Sequence, residues 1–307
     1  MPLYLRESDV DGLLAPAEAV DAIEECFRRM ARGSVDNFPR RRLRLEEGAL
    51  AVMAAADREL DLAGSKTYLA TPAGATFVVS LFARGETVAV IEADRLGQLR
   101  TGAASGVAAR HLARLGAWSL GVIGCGWQAE SQVACIRAAV PAIDRVVAYC
   151  RTRERLEEFC ERVGAEPGES HRDAGEQDVV VTATSSPDPV LRGEWLRPGA
   201  LVCAMGANRP GARELDDVVL ERAAFVCCDS REQSRVESSD LIEPIEHGVL
   251  DWLEVHELQE VVGGELEGRQ SDGDIVVFKS NGLAAWDIAI AAAAVERARE
   301  RNVGLLL

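Results

Sequence analysis

Lysine is almost missing from this chain: of 34 basic residues only Lys66 and Lys279 are lysine, the rest arginine. Aromatic residues are scarce at 5%, and the four histidines, His111, His171, His247 and His256, stand at no ligand spacing. No C-x-x-C occurs, so the sequence predicts no metal site. Positive charge is in deficit. A formal charge of −16 and a pI near 4.8 exclude nucleic acid and anionic membranes as natural partners. No apolar run reaches the ~20 residues of a membrane span, and the stretch AIAAAAVERARE is broken by charge. The first residues, MPLYLRESDVDGLL, lack the basic, apolar and small-residue order of a secretory signal, which predicts a cytoplasmic protein. By the same reasoning the eight cysteines are not expected to form a disulfide framework. Cys125, Cys150, Cys203, Cys227 and Cys228 sit in or beside apolar runs and read as small buried hydrophobes.

What is present suffices for one large core or two ordinary ones: 307 residues, 48% of them hydrophobic. Val20, Ile23, Phe27 and Met30 recur at helical spacing between Pro16 and Gly33, which predicts a helix over 16–32. Residues 40–92 read as strands, with a hairpin turn in ARGE. A helix over 94–114 follows. From 118 to 230 the rhythm changes. SLGVIG, RVVAYC, DVVVTAT, ALVCAMG and AFVCCD each precede a polar, helix-compatible stretch. That alternation is the pattern of a doubly wound parallel sheet, so the predicted fold class is α/β. The tail DIVVFKSNGLAAWDIAIAAAAVERARERN adds one strand and one long helix.

The segment GVIGCGWQAES, 121–131, carries the first chemistry. A glycine-rich turn alone is a weak signal, but here it follows a strand, opens a helix, and precedes a second strand ending in AYCRTRE. Gly124 permits the tight turn, Gly126 lets backbone approach a pyrophosphate, and Ala129 lets the helix pack on the strand. The helix N-terminus then offers N–H groups to the phosphates. At the end of the second strand an acidic residue would hold a ribose 2′-hydroxyl. This chain has Arg151, Thr152 and Arg153 instead, and no carboxylate before Glu154. Arginine there suits a 2′-phosphate, so the reading favours NADP(H) over NAD(H).

The N-terminal half is left to hold a substrate. Its candidates are FPRRRLRL (38–45), GSKTY (64–68) and LGQLRTGAASG (96–106). Arginines and a lysine from neighbouring strands make a pocket for an anion, since arginine forks a carboxylate with two bonds. Lys66, in a chain that otherwise uses arginine, suggests a task that includes losing a proton; a lysine at a strand end on the surface would look the same in sequence. Arg100 is followed by Thr101, Gly102, Ala103 and Ala104, small residues suited to close approach by a ligand, or to an ion pair between elements.

Taken together, PRRR, GALAVMAAAD, GSKTY, ADRLGQLRTGAASGVAARHLA, GVIGCGWQAE, GANRPGARELDDVVL and LEGRQSDGDIVVFKSNGLAAWD resemble the ornithine cyclodeaminase/mu-crystallin family, in order and over nearly the whole chain. The resemblance implies a homodimer of two-domain subunits. Residues 1–115 plus 282–307 would form a substrate-binding and dimerisation domain, and 116–281 a Rossmann domain. It implies that Arg40, with Arg42 as the fallback, binds the substrate carboxylate, that Lys66 lies in the catalytic pocket, and that Arg100 touches both substrate and nicotinamide. Gly124, Gly126, Trp127 and Gln128 would hold the pyrophosphate, and Arg151, Thr152 and Arg153 the ribose phosphate. Thr101, Thr184, Met205, Gly206, Ala207 and Ser280 would line the cofactor, with Asn281 toward the substrate. Where the cyclodeaminase carries aspartate this chain has Asn208, closer to the reductase and crystallin members. The expected activity is therefore NAD(P)(H)-dependent oxidation or reduction at the C–N bond of a small amino or imino acid. The alternatives are ornithine cyclodeamination and a non-catalytic, NADPH-dependent binding protein of the mu-crystallin type.

Overall fold

The computed structural model describes residues 1–307. The chain divides into two compact units, Met1–Arg100 with Gly282–Leu307, and Thr101–Asn281. The division falls inside the helix Asp94–Leu112, upstream of the boundary suggested by the sequence.

In the first unit a mixed sheet contains β1 (Leu3–Leu5), β2 (Val35–Leu45), β3 (Gly48–Asp57), β4 (Leu62–Thr71), β5 (Gly74–Ala83) and β6 (Glu86–Glu92). A short C-terminal strand, Leu305–Leu306, pairs with β1, and the order is Leu305–Leu306, β1, β6, β5, β4, β3, β2. β2 to β6 form an antiparallel meander. RRLRLEEGALAVMAA is therefore two strands with a turn at Glu46–Glu47, not one run. The ARGE hairpin is present: Arg84 and Gly85 both take positive φ, 52° and 79°, as a two-residue turn matching strand twist requires. Period-two alternation buries Ala51, Met53 and Ala55 of β3, Val79 and Leu81 of β5, and Ala89 and Ile91 of β6. The helices Pro16–Ala31 and Ala284–Arg301 pack together, and the second also packs on β2 to β5. Phe27 and Trp286 meet edge to face at 5.3 Å in that layer.

The second unit is a fully parallel sheet of β7 (Ser119–Ile123), β8 (Arg145–Tyr149), β9 (Glu166–Pro167), β10 (Val179–Thr182), β11 (Leu201–Ala204), β12 (Ala223–Cys228), β13 (Val255–Glu257) and β14 (Ile275–Lys279). Their order is β13, β12, β14, β11, β10, β7, β8, β9. Strands β7, β10, β11 and β14 are buried on both faces, which is why they read as unbroken apolar runs. Strand order reverses between β7 and β10, and such a switch point is where open α/β sheets take their ligands. Cys125 and Cys150 are only half-buried; Cys203, Cys227 and Cys228 are fully buried, and no disulfide forms.

Candidate active site

In the first unit four charged side chains converge. Alternation along β4 turns Gly64 and Lys66 toward the helix layer, and Lys66 is 3% exposed. A register shift in β2 between Phe38 and Arg41 accompanies the burial of Arg40, while Arg42 stays exposed. Arg100, buried, comes from the helix Asp94–Leu112. The fourth group is Asp287, 1% exposed, in the first turn of Ala284–Arg301. Its Oδ1 accepts from Lys66 Nζ at 2.8 Å and from Arg100 Nε at 3.1 Å. The terminal nitrogens of Arg100, the fork that suits a second carboxylate, are not engaged by Asp287. Arg40 Nη2 makes a long contact, 3.5 Å, with the carbonyl of Gly282.

Two glycines make room for these cations. A Cβ on Gly97 would lie 2.7 Å from Lys66 Nζ, and one on Gly282 2.5 Å from Arg100 Nη1. Gly102, expected to leave space for a ligand, instead packs against backbone, its Cβ position being 2.3 Å from the carbonyl oxygen of Ser131. Burial lowers the proton affinity of Lys66 to a pKa of about 8, with Arg100 and Arg40 adding to it and Asp287 opposing. Burial raises that of Asp287, but the charges of Arg100, Lys66 and Arg40 outweigh it and keep the carboxyl ionised below its usual range.

In the second unit the glycine-rich turn has the expected local geometry. Gly124 holds φ at 106°, and a Cβ there would lie 2.5 Å from the carbonyl oxygen of Ala183. Gly126 is the N-cap of the helix Trp127–Ala139, with no side-chain cap and nothing within 4 Å of its Cβ position. An uncapped helix start with an open approach fits a pyrophosphate. Ala129 is fully buried beneath it. Trp127 is exposed, and Gln128 and Thr101 are half-buried. Arg151 and Thr152 are exposed, and Thr152 caps Arg153–Val163 without a side-chain bond. Arg153 is drawn to Glu157 at 2.6 Å and Glu169 at 3.5 Å.

The remaining positions meet around buried carboxylates that sequence reading did not single out. Glu214 accepts five hydrogen bonds: from Thr182 Oγ1, from Thr184 N and Oγ1, and from the amides of Gly206 and Ala207. It thereby ties the loop after β10 to the loop after β11, where Met205 is buried and Asn208 half-buried. Lys279 donates to the Ala207 carbonyl at 2.5 Å and pairs with Asp240 at 3.0 Å. Asp229 accepts from Ser280 Oγ at 3.0 Å and Asn281 N at 2.7 Å, and Asn281 Nδ2 donates to Ser234 at 2.9 Å. The missed group in the first unit, Asp287, left one trace in the sequence: a lone acid in the apolar run AAWDIAIAAAA.

The chain is 34% identical to the alanine dehydrogenase of Archaeoglobus fulgidus over 319 residues, 98% of this chain and 97% of that one. It is 37% identical to a Delta(1)-pyrroline-2-carboxylate reductase of Bacillus cereus over 235 residues, 74% of this chain and 72% of the relative. The solved structure of the Thermococcus litoralis Delta(1)-pyrroline-2-carboxylate reductase in complex with NADH and L-proline superposes with a TM-score of 0.93 at 30% identity, covering 99% of this chain and 100% of that one. The model of the ornithine cyclodeaminase/mu-crystallin family matches residues 2–302, and the chain belongs to that family.

Proposed function

We propose that this protein is an NAD(P)(H)-dependent oxidoreductase that reduces a small cyclic or open-chain imino acid, or interconverts an amino and a keto acid. The observation that carries the reading is the buried set of Arg40, Lys66 and Arg100 around Asp287, in which Lys66 has a proton affinity near neutrality. Arg40 and Arg100 hold the substrate carboxylate, and Lys66 as ammonium donates a proton to, or polarises, the imine nitrogen. In the reverse direction Lys66 as free amine takes that proton back. The hydride chemistry would come from a bound nicotinamide cofactor. Gly124, Gly126, Trp127 and Gln128 would cradle the pyrophosphate, with Thr101, Thr184, Met205, Gly206, Ala207 and Ser280 along the rest of the cofactor and Asn281 toward the substrate.

Arg151, Thr152 and Arg153 support a preference for NADP(H), with Arg151 the main contributor because Arg153 already has carboxylate partners. Related structures contain NADH or NAD; the NADP(H) reading rests on this chain's own Arg151, Thr152 and Arg153. Asn208 offers no charge to hold a substrate ammonium and no base to deprotonate it, which favours one-step reduction over cyclodeamination of ornithine. The subunits pair through the uncovered sheet face, where Phe38, Leu43, Leu69 and Phe82 are exposed. A homodimer in the cytoplasm is the expected form, and sedimentation reads its mass.

The test is reduction of cyclic imines, and of pyruvate with ammonia, by NADPH and NADH. Turnover is expected with a lower Michaelis constant for NADPH, and Arg151→Ala should erase about tenfold of that preference. Equal constants in the unaltered protein would remove the NADP assignment. Tight NADPH binding with no turnover on any imine would instead point to a binding protein of the mu-crystallin type. Ornithine with catalytic NADP⁺ should release little ammonia.

A further inference from the structure

Resting on the reading of Lys66 as the group that serves the substrate nitrogen, we infer that Asp287 is its positioning residue. Asp287 holds Lys66 and Arg100 in register and sets the pH at which Lys66 gives up its proton. A single atom, Oδ1, takes both Lys66 Nζ from β4 and Arg100 Nε from the helix Asp94–Leu112. That atom is itself well placed. The preceding Trp286 is packed against Phe27, and the amide of Ala285 donates to Asn37 Oδ1 at 3.1 Å. The second oxygen of Asp287 is buried and has no hydrogen-bond partner. A half-satisfied carboxylate in a helix face of alanine, tryptophan and isoleucine is a poor choice for packing alone, where an apolar residue would serve.

The charged groups that face Asp287 are Arg40 on β2, Lys66 on β4 and Arg100. Elsewhere in the layer the buried charges have their own partners, Arg29 with buried Asp57 of β3 and Glu24 with the partly exposed Arg28, and β5 carries none. Asp287 is thus the local anion that opposes the loss of the Lys66 proton. Without it burial, Arg100 and Arg40 all act in one direction, and the lysine becomes a weaker base.

The experiment is a pH profile of kcat/KM in both directions for the full protein and three variants. Imine reduction needs the ammonium and falls as pH rises through about 8; amino-acid oxidation needs the free amine and rises there. Asp287→Asn should move both limbs down by about one pH unit or more. At any one pH the overall equilibrium ties the two directions together, so the readout is the displacement of the limbs along the pH axis, which a merely structural role would not produce. Cofactor affinity, read by fluorescence titration, should stay unchanged. Asp287→Glu keeps the charge, so its limbs should stay within about half a unit of the original while kcat drops. This variant carries the test if the asparagine one does not fold, and a larger displacement in it overturns the inference. Lys66→Met separates the two readings. Limbs that persist in Lys66→Met remove Lys66 as the titrating group. Limbs that vanish there but stay in place in Asp287→Asn leave Lys66 standing and overturn the role of Asp287.

Discussion

The ammonium of Lys66 lies in the protein interior at a cost that depends on pH in a definite sense. Its pKa is about 8 in the fold and 10.5 for an unburied lysine. Between these values the unfolded chain binds the proton more fully, so this group's contribution to stability rises with pH across that window. Below pH 8 the full penalty, on the order of 3 kcal/mol, is present. Lys66→Met removes it, and Asp287 still has Arg100 and Arg40 for its charge. The variant should therefore resist denaturant at pH 7 as well as the parent or better, and the advantage should shrink toward pH 10. Turnover should fall by about a hundredfold or more. Paired denaturation curves at pH 7 and pH 9.5 check the sign. A variant clearly less stable at pH 7 would mean that the ion pair, not the burial penalty, dominates.

At the scale of the element, two of the three glycines in the helix Asp94–Leu112, Gly97 and Gly102, do different things. Alanine at Gly97 gains up to about 1 kcal/mol of helix propensity, and the atom it meets is the mobile end of Lys66. Gly97→Ala should melt no lower than the parent yet turn over about tenfold more slowly, because Nζ must shift. At Gly102 the same change meets the Ser131 backbone, which cannot yield cheaply, so stability should fall by about 1–3 kcal/mol. Thermal melting and kcat measured together distinguish the two. A Gly97→Ala protein of full activity would show that Lys66 has room to spare. These roles were invisible in LGQLRTGAASG, where Gly102 reads as space for a ligand and Gly97 carries no signal; only the partner across the contact tells them apart. The strands and long helices were legible because period two and period 3.6 run through them. The two-residue β9 and three-residue β13 carry too few residues to show a period. Asp287 and Glu214 were missed for a related reason: a single acid has no pattern, and its partners lie far away in sequence.

Over the whole molecule, the sequence's division into a strand-rich half and an alternating half corresponds to the two sheets, because each is built almost wholly from contiguous chain. Its scarcity of lysine has a further meaning once both lysines are located. Lys66 is 3% exposed and Lys279 0%, one in each unit, so no lysine side chain lies on the surface and the basic side chains there are arginines. Reagents that acylate amines therefore meet two different lysines. Lys66 serves a pocket that a substrate must enter, so small reagents should label it in the folded protein, faster above pH 8 where its amine is free and more slowly with a carboxylate ligand bound. Lys279 is sealed between the Ala207 carbonyl and Asp240 and should stay unlabelled until its unit opens. Brief acetylation followed by mass spectrometry should therefore modify Lys66 under native conditions and Lys279 only in denaturant. Lys279 thus acts as a built-in clock, its rate of labelling reporting how often its own unit opens.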